Sequence, residues 1–183
     1  MSKQKLRIGV LPIGDVPKIA IEHVAKEIKG CLNLDTDILL PLAHPHFALD
    51  KKRRQYSAGA ILQALEEDSL HDCTKVIAML NVDLFIPIFT HVFGEARQGG
   101  DYALVSLYRL REKSHDMTLS VSMILERTAK VALHELGHLF DLVHCMDEGC
   151  LMHFSGTIKE LDFIPLSFCP YCATSFRDAL IGI

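Results

Sequence analysis

His134, Glu135 and His138 form an H-E-x-x-H pattern whose residue types and spacing suit a metal site with a base beside it. On a helix that turns about 100° per residue, positions four apart lie on one face, so both imidazoles can reach the same cation. Glu135 is offset to one side of that face, which suits a general base better than a ligand. The spacing therefore predicts metal-assisted hydrolysis on a helix.

A catalytic zinc site normally takes three protein ligands, so one more is needed. His144 is the favoured candidate. It would lie roughly 9 Å of helix rise beyond His138, so the chain must leave the helix between them. Asp141 is the alternative, since it follows His138 on the same face. Its short carboxylate would lie roughly 10 Å of rise from His134, too far to share that residue's metal easily.

Four of the six cysteines form two close pairs near the end of the chain. Their C-x4-C and C-x2-C spacing is typical of a tetrahedral thiolate zinc site, formed by Cys145, Cys150, Cys169 and Cys172. Four thiolates leave no position for a substrate, so we predict a second, structural zinc. A redox role for C-P-Y-C at 169–172 is disfavoured, because only 11 residues follow this motif.

The histidine segment resembles the metzincin signature H-E-x-x-H-x-x-G-x-x-H, with Asp141 in the place of the glycine. Asp is among the few residues that tolerate a left-handed backbone, so the helix can still end there. Met152 stands where metzincins have the methionine of the turn beneath the metal. With the cysteine framework added, the chain resembles the archaemetzincins in particular. Further segments resemble that family in the same order: 54–56, 82–85, 92–96 and 106–110.

This resemblance implies an α/β (α+β) fold of the metzincin-like zincin type. We expect a mixed twisted sheet of about four or five strands, helices packed on it, and the active-site helix below a cleft. The expected division is an N-terminal subdomain at 1–140 and a small C-terminal, zinc-bound subdomain at 141–183. By the same resemblance, an edge strand pairs with an extended substrate, and the candidate residues are Val92, Phe93, Gly94, Glu95 and Ala96.

Composition agrees with a globular protein. The chain has 183 residues, of which 49% are hydrophobic and 23% charged, and its net charge of −4 argues against non-specific nucleic-acid binding. The N-terminus lacks the pattern of a signal peptide, and no stretch approaches the ~20 apolar residues of a membrane span. We expect a cytoplasmic monomer in which paired cysteines bind metal rather than form disulfides.

Hydrophobic periodicity predicts the elements around the site. Strands are expected at 6–12, 36–41, 75–81 and 101–110, helices at 17–31, 57–70 and 174–180, and loops at 43–50 and 153–168. Ser114 or Asp116 is expected to cap the long helix that carries the histidines. Cys31 and Cys73 are expected to be buried thiols. His44, His46, His91 and the basic run 51–54 are expected to be surface residues.

The predicted function is that of a zinc metallopeptidase that hydrolyses peptide bonds, with two zinc ions per chain. A zinc-binding scaffold without turnover is the first alternative, because residue 141 is unusual for the motif. A metal-dependent RNA hydrolase is the second, and the absence of a basic groove in the sequence disfavours it. The substrate sequence, and whether chain ends or interiors are cut, stay open.

Overall fold

Strands and helices alternate along the computed structural model, which describes residues 6–67, 72–113 and 119–182. The strands are β1 (Arg7–Pro12), β2 (Asp35–Ile38), β3 (Leu49–Asp50), β4 (Gln55–Ser57), β5 (Lys75–Leu80), β6 (Leu84–Ile86), β7 (Phe89–Val92), β8 (Gly94–Ala96) and β9 (Tyr102–Ser106). The helices are α1 (Lys18–Leu32), α2 (Ala58–Glu67), α3 (Val121–Leu139), α4 (Ile158–Phe163) and α5 (Pro170–Ile181). Short 3-10 helices span His46–Ala48 and Arg109–Arg111.

The main sheet has the strand order β2-β1-β5-β9-β8. The first four strands are parallel, and β8 is antiparallel to β9 at one edge. All of β5 is buried at the centre, as its continuous apolar run predicts. The mixed α/β class and the size of this sheet are therefore as predicted.

A second, four-stranded sheet has the order β3-β4-β6-β7 and was not predicted. Its strands are two to four residues long, too short to show an alternating pattern. The predicted loop at 43–50 thus contains a 3-10 helix and β3. The strand predicted at 101–110 ends at Ser106, and the helix predicted at 57–70 is described as far as Glu67.

Helix α3 is the platform of the site, packed against α1 on one side and against β9 and β8 on another. It begins at Val121, where the Ser120 hydroxyl accepts a hydrogen bond from the Met123 N–H at 3.2 Å. The cap predicted at Ser114 or Asp116 is therefore wrong, and both residues lie outside the described part of the chain. None of the described helices is long and apolar enough to cross a membrane.

Arg127 joins α3 to the C-terminal part of the chain. Its side chain is 1% exposed, donates to both carboxylate oxygens of Asp162 at 2.7 Å, and donates to the carbonyls of Leu110 and Glu112. A buried, bidentate pair with satisfied donors has a defined geometry. This contact fixes α4 and its flanking segments relative to the helix that carries the histidines.

The C-terminal part is more helical than predicted. Helix α4 falls within the predicted loop, and a capping box at Thr157 and Glu160 starts it. Helix α5 starts at Pro170 rather than residue 174, because Pro suits the first helical position and the Cys169 sulfur caps the N-terminus. Six residues of α4 are too few for a clear helical period.

The two remaining cysteines are not buried as predicted. Cys31 is exposed and its thiol lies 3.6 Å from the Glu27 carboxylate, while Cys73 is half-buried. The buried face of α1 consists of Ala20, Ile21, Val24 and Ile28. Cys31 lies off that face, so its small apolar side chain meets solvent.

Candidate active site

His134 and His138 face each other on the last turns of α3. The Nδ1 of His134 lies 2.8 Å from the Leu151 carbonyl, and that of His138 lies 2.7 Å from the Leu142 carbonyl. Because a carbonyl can only accept, each Nδ1 carries the hydrogen and each Nε2 keeps a lone pair. The two Nε2 atoms are 3.1 Å apart. Two lone pairs held so close favour a cation between them.

The end of α3 turns the chain toward these nitrogens. Leu142 N–H bonds to the Gly137 carbonyl at 3.0 Å and Asp141 N–H to the His138 carbonyl at 3.1 Å. This is the Schellman pattern, which needs a left-handed residue at Asp141, whose φ is +63°. His144 follows two residues after Leu142. The predicted bend at Asp141 is thus present without a glycine.

His144 completes a group of three imidazoles whose nearest ligand atoms lie within 4.8 Å of one another. Its ring centroid lies 5.3 Å from that of His134 and 4.9 Å from that of His138. The group does not include Asp141. The Asp141 carboxylate instead lies against Gly99, on the side of the turn that precedes β9.

All three imidazoles are neutral at ordinary pH. Burial lowers the pKa of His134 to about 3, and the neighbouring His138 adds to this effect. Burial likewise lowers the pKa of His138 and of His144. Neutral imidazole is the form that binds metal. The site can therefore bind a cation without first losing protons from its ligands.

Glu135 is 8% exposed and lies beneath β8. An added Cβ at Gly94 would come within 2.6 Å of Glu135 Oε1, so only glycine leaves room for this carboxylate. Burial raises the pKa of Glu135 well above its ordinary value, and the negative charge of Glu95 raises it further. A carboxylate with a raised pKa beside a metal-ligand group can both take and return a proton.

Met152 is fully buried beneath α3. An added Cβ at Gly137 would come within 2.5 Å of the Met152 sulfur, so the sulfur sits directly against the α3 backbone. Gly137 lies between the two histidines of the helix. Met152 thus supports the floor of the site by packing, and the preceding residue, Leu151, holds the His134 ring through its carbonyl.

A cleft of about 420 Å³ opens over the histidines, and residues 92–96, predicted as one edge strand, all line it. Only Gly94–Ala96 forms the edge strand β8, because Val92 ends β7 in the second sheet. The Phe93 carbonyl accepts from Ser106 N–H at 2.8 Å, so the alternation of antiparallel pairing turns the backbone groups of Gly94 and Ala96 outward. Lys130, Phe89 and Phe154 are among the further lining residues that were not predicted. Lys130 precedes His134 by four positions, so helical spacing could have identified it. His91 also lines the cleft and is only half-exposed, not a plain surface residue.

The four predicted cysteines form a second group, with ligand atoms within 4.8 Å of one another. The Cys150 sulfur accepts from the N–H groups of Met152 and Cys169, at 3.4 and 3.3 Å, as thiolate ligands commonly do. The sulfurs of Cys145 and Cys169 are 3.9 Å apart, too far for a disulfide of about 2.05 Å. Cys145 directly follows His144, which joins the two groups. Among described residues these are the two metal-ligand groups, and neither includes His44 or His46.

Known proteins resemble this chain over most of its length. A model of peptidase family M54 matches residues 18–178. The archaemetzincin of Thermococcus kodakarensis is 32% identical over 177 residues, covering 90% of this chain and 92% of that protein. The archaemetzincin of Methanocaldococcus jannaschii is 30% identical over 178 residues, covering 97% of each.

Solved structures of archaemetzincins have a similar fold. The crystal structure of archaemetzincin from Methanopyrus kandleri superposes with a TM-score of 0.86 at 29% identity, covering 99% of this chain and 98% of that one. Archaemetzincin from Archaeoglobus fulgidus, complexed with malonate, gives a TM-score of 0.80 at 29% identity, covering 93% and 99%.

Proposed function

Because the chain belongs to peptidase family M54 and is a zinc-dependent metallopeptidase, we propose that His134, His138 and His144 bind its catalytic zinc and that Glu135 is the general base. One observation carries this assignment. Three neutral imidazoles converge beside a buried carboxylate in a cleft bordered by an open sheet edge. Nitrogen donors in this number leave a tetrahedral zinc one free position.

A zinc held by His134, His138 and His144 would lower the pKa of a water molecule to about 7 and would polarise the peptide carbonyl. Glu135 accepts a proton from the attacking water and later donates it to the leaving nitrogen. Burial raises the pKa of Glu135, so its carboxylate binds a proton more readily than an exposed one. The carbonyls of Leu151 and Leu142 hold the His134 and His138 rings in the tautomer that presents Nε2.

The substrate lies along β8. The outward backbone groups of Gly94 and Ala96 can pair with an extended peptide, as an edge strand does in β-augmentation. Such pairing uses the backbone and so accepts many sequences, while the cleft walls select side chains. Gly94 also positions the scissile bond near Glu135, since its missing side chain is what admits the carboxylate beneath the strand.

Cys145, Cys150, Cys169 and Cys172 bind a second, structural zinc in this proposal. Four thiolates would close the tetrahedron of this zinc. The buried apolar side chains among the described residues of 141–183 belong to the same core as those of α1, α3 and the main sheet. This zinc fixes the chain one residue past His144, so it supports the third ligand of the catalytic site. Free thiols held as metal ligands suit a reducing compartment, and we propose the cytoplasm.

The test of this function is digestion of a mixed peptide library, read by mass spectrometry. Zinc-loaded protein should cleave peptides, a mild chelator should stop cleavage, and added zinc should restore it. His144→Ala is the matched variant and should retain one zinc per chain, held by the cysteines, without cleavage. Two zinc ions in His144→Ala would refute the ligand assignment. The absence of cleavage by parent protein that is fully loaded with zinc would favour a zinc-binding scaffold.

A further inference from the structure

Two aromatic rings meet across the cleft. Phe89 begins β7, in the second sheet, and Phe154 follows Met152 on the other side of the site. Their ring centroids are 5.9 Å apart and the ring planes differ by 27°, a stacked arrangement. Both residues line the cleft. The contact therefore joins one rim of the cleft to the other.

The same contact reaches the metal ligands. The Phe154 ring packs against His144 with centroids 5.3 Å apart and planes at 64°. His144, Phe154 and Phe89 thus form a continuous row of rings from the histidine group to the opposite rim. A substrate backbone cannot pass through stacked rings, so this row closes one end of the cleft.

The position of the closed end limits the length of bound chain. Glu135 lies under Gly94 in β8, and Phe89 precedes Gly94 by five residues at the start of β7, which belongs to the second sheet. Five residues span at most roughly 18 Å however the chain turns between the two strands, so an extended substrate that runs from Glu135 toward Phe89 meets the rings within about five residues. The cleft volume of about 420 Å³ is that of a small-ligand pocket rather than of a long groove.

We propose that Phe89 and Phe154 form a wall that restricts the substrate to a few residues on one side of the scissile bond. This rests on the proposed peptidase function. The protein then prefers bonds near one end of a peptide chain, and the two phenylalanines set that preference. Bonds deep inside a long chain are poor substrates, because the chain must displace the stacked pair to extend past it.

The test uses two series of peptides that share one cleavable core. One series is lengthened at the N-terminal end and the other at the C-terminal end, by one to eight added residues. Dissociation constants are measured by calorimetry in the Glu135→Gln background, where bound peptide is not turned over, and kcat/KM is measured with the parent. In one series, we expect affinity and kcat/KM to fall at least tenfold once more than a few residues have been added. In the other series, both should stay unchanged.

Phe89→Ala should relieve that loss, so that the ratio of long-peptide to short-peptide binding rises at least fivefold. Phe163→Ala is the matched control, since Phe163 is 79% exposed and outside the cleft, and it should leave the ratio unchanged. The proposed wall would be refuted if binding did not depend on peptide length in either series, or if no peptide bound at any length. The proposed wall would also be refuted if Phe89→Ala still bound the longer peptides as weakly as the parent does. Length-dependent binding without cleavage by the parent would instead refute the peptidase function and retain the wall.

Discussion

The carboxylate of Asp141 lies against Gly99, where an added Cβ would come within 2.6 Å of Asp141 Oδ1. Both residues have left-handed backbones, with φ of +63° and +65°. Gly99 N–H also donates to the His138 carbonyl at 2.9 Å. The turn around Gly99 is held by Lys75, whose ammonium donates to the Gly100 carbonyl at 2.9 Å. Asp141, the unusual residue of the histidine motif, therefore occupies the space that the missing side chain of Gly99 leaves on the facing turn.

This contact predicts coupled mutations. Gly99→Ala should destabilise the protein by more than about 1 kcal/mol, because it adds strain at positive φ as well as a clash with Asp141. Asp141→Gly should change stability by less than about 1 kcal/mol and retain the histidine-bound zinc. In the Asp141→Gly background, Gly99→Ala should cost at least about 0.5 kcal/mol less. Urea unfolding of the four proteins measures the coupling, and simple additivity would contradict it. Loss of the zinc in Asp141→Gly would restore Asp141 as a candidate ligand.

Gly94→Ala should lower kcat while leaving the zinc content intact, and it should also cost some stability, because the new Cβ would come within 2.8 Å of the Leu104 carbonyl oxygen in β9. The new Cβ would push the Glu135 carboxylate away, and a displacement of about 1 Å can cost a hundredfold in rate. We expect kcat to fall at least about tenfold. Gly30→Ala is the control, because nothing lies within 4 Å of its added Cβ in α1. Equal kcat in the two variants would argue against Glu135 as the base.

Cys169→Ser should reduce both stability and activity. Cys169 is 9% exposed, belongs to the cysteine group and caps α5, so its loss opens the structural site. A loss of about 3 kcal/mol would lower Tm by roughly 6–12 °C in a domain of this size. Cys31→Ser, at an exposed position, should leave Tm unchanged. A Cys169→Ser protein with full activity and parental Tm would disprove the coupling between the two zinc sites.

Acid should destabilise protein whose histidine-bound metal has been removed. The folded pKa of His134 is about 3, against an ordinary 6.5, so below pH 6.5 the unfolded chain takes up a proton that the folded chain does not. This contribution to stability is complete above pH 6.5 and is lost as the pH falls. His134→Gln removes it. The free energy of unfolding, measured with denaturant at pH 7.5 and pH 5.0, should fall more between these two pH values in the parent than in the variant.

Glu135 has the opposite dependence, because its pKa is raised and its contribution falls as the pH rises. Both proteins contain Glu135, so the difference between them isolates the histidine. Equal losses in parent and variant would mean that His134 titrates at an ordinary pKa.

Sequence reasoning succeeded where the chemistry depends on local spacing. His134 and His138 lie four residues apart on one helix, and the cysteine pairs lie within short segments, so their geometry follows from the backbone alone. The left-handed bend at Asp141 was also predictable, since few residues other than glycine tolerate it.

Sequence reasoning failed where distant segments meet. Gly94 is recognisable as the residue that admits Glu135 only once β8 is packed on α3, 41 positions away in the chain. The contact between Phe89 and Phe154 joins two parts of the chain that share no local pattern. The second sheet and α4 were missed because their elements are shorter than the periods used to recognise them.

The central claim is that Glu135 acts as the base beside a zinc held by three histidines. The most direct test is to measure kcat on one cleaved peptide, together with zinc content, for the parent and for Glu135→Gln. The variant should bind as much zinc as the parent, and its kcat should be lower by at least about a hundredfold. Equal zinc content with kcat within a few-fold of the parent would contradict the assignment of Glu135 and the mechanism built on it.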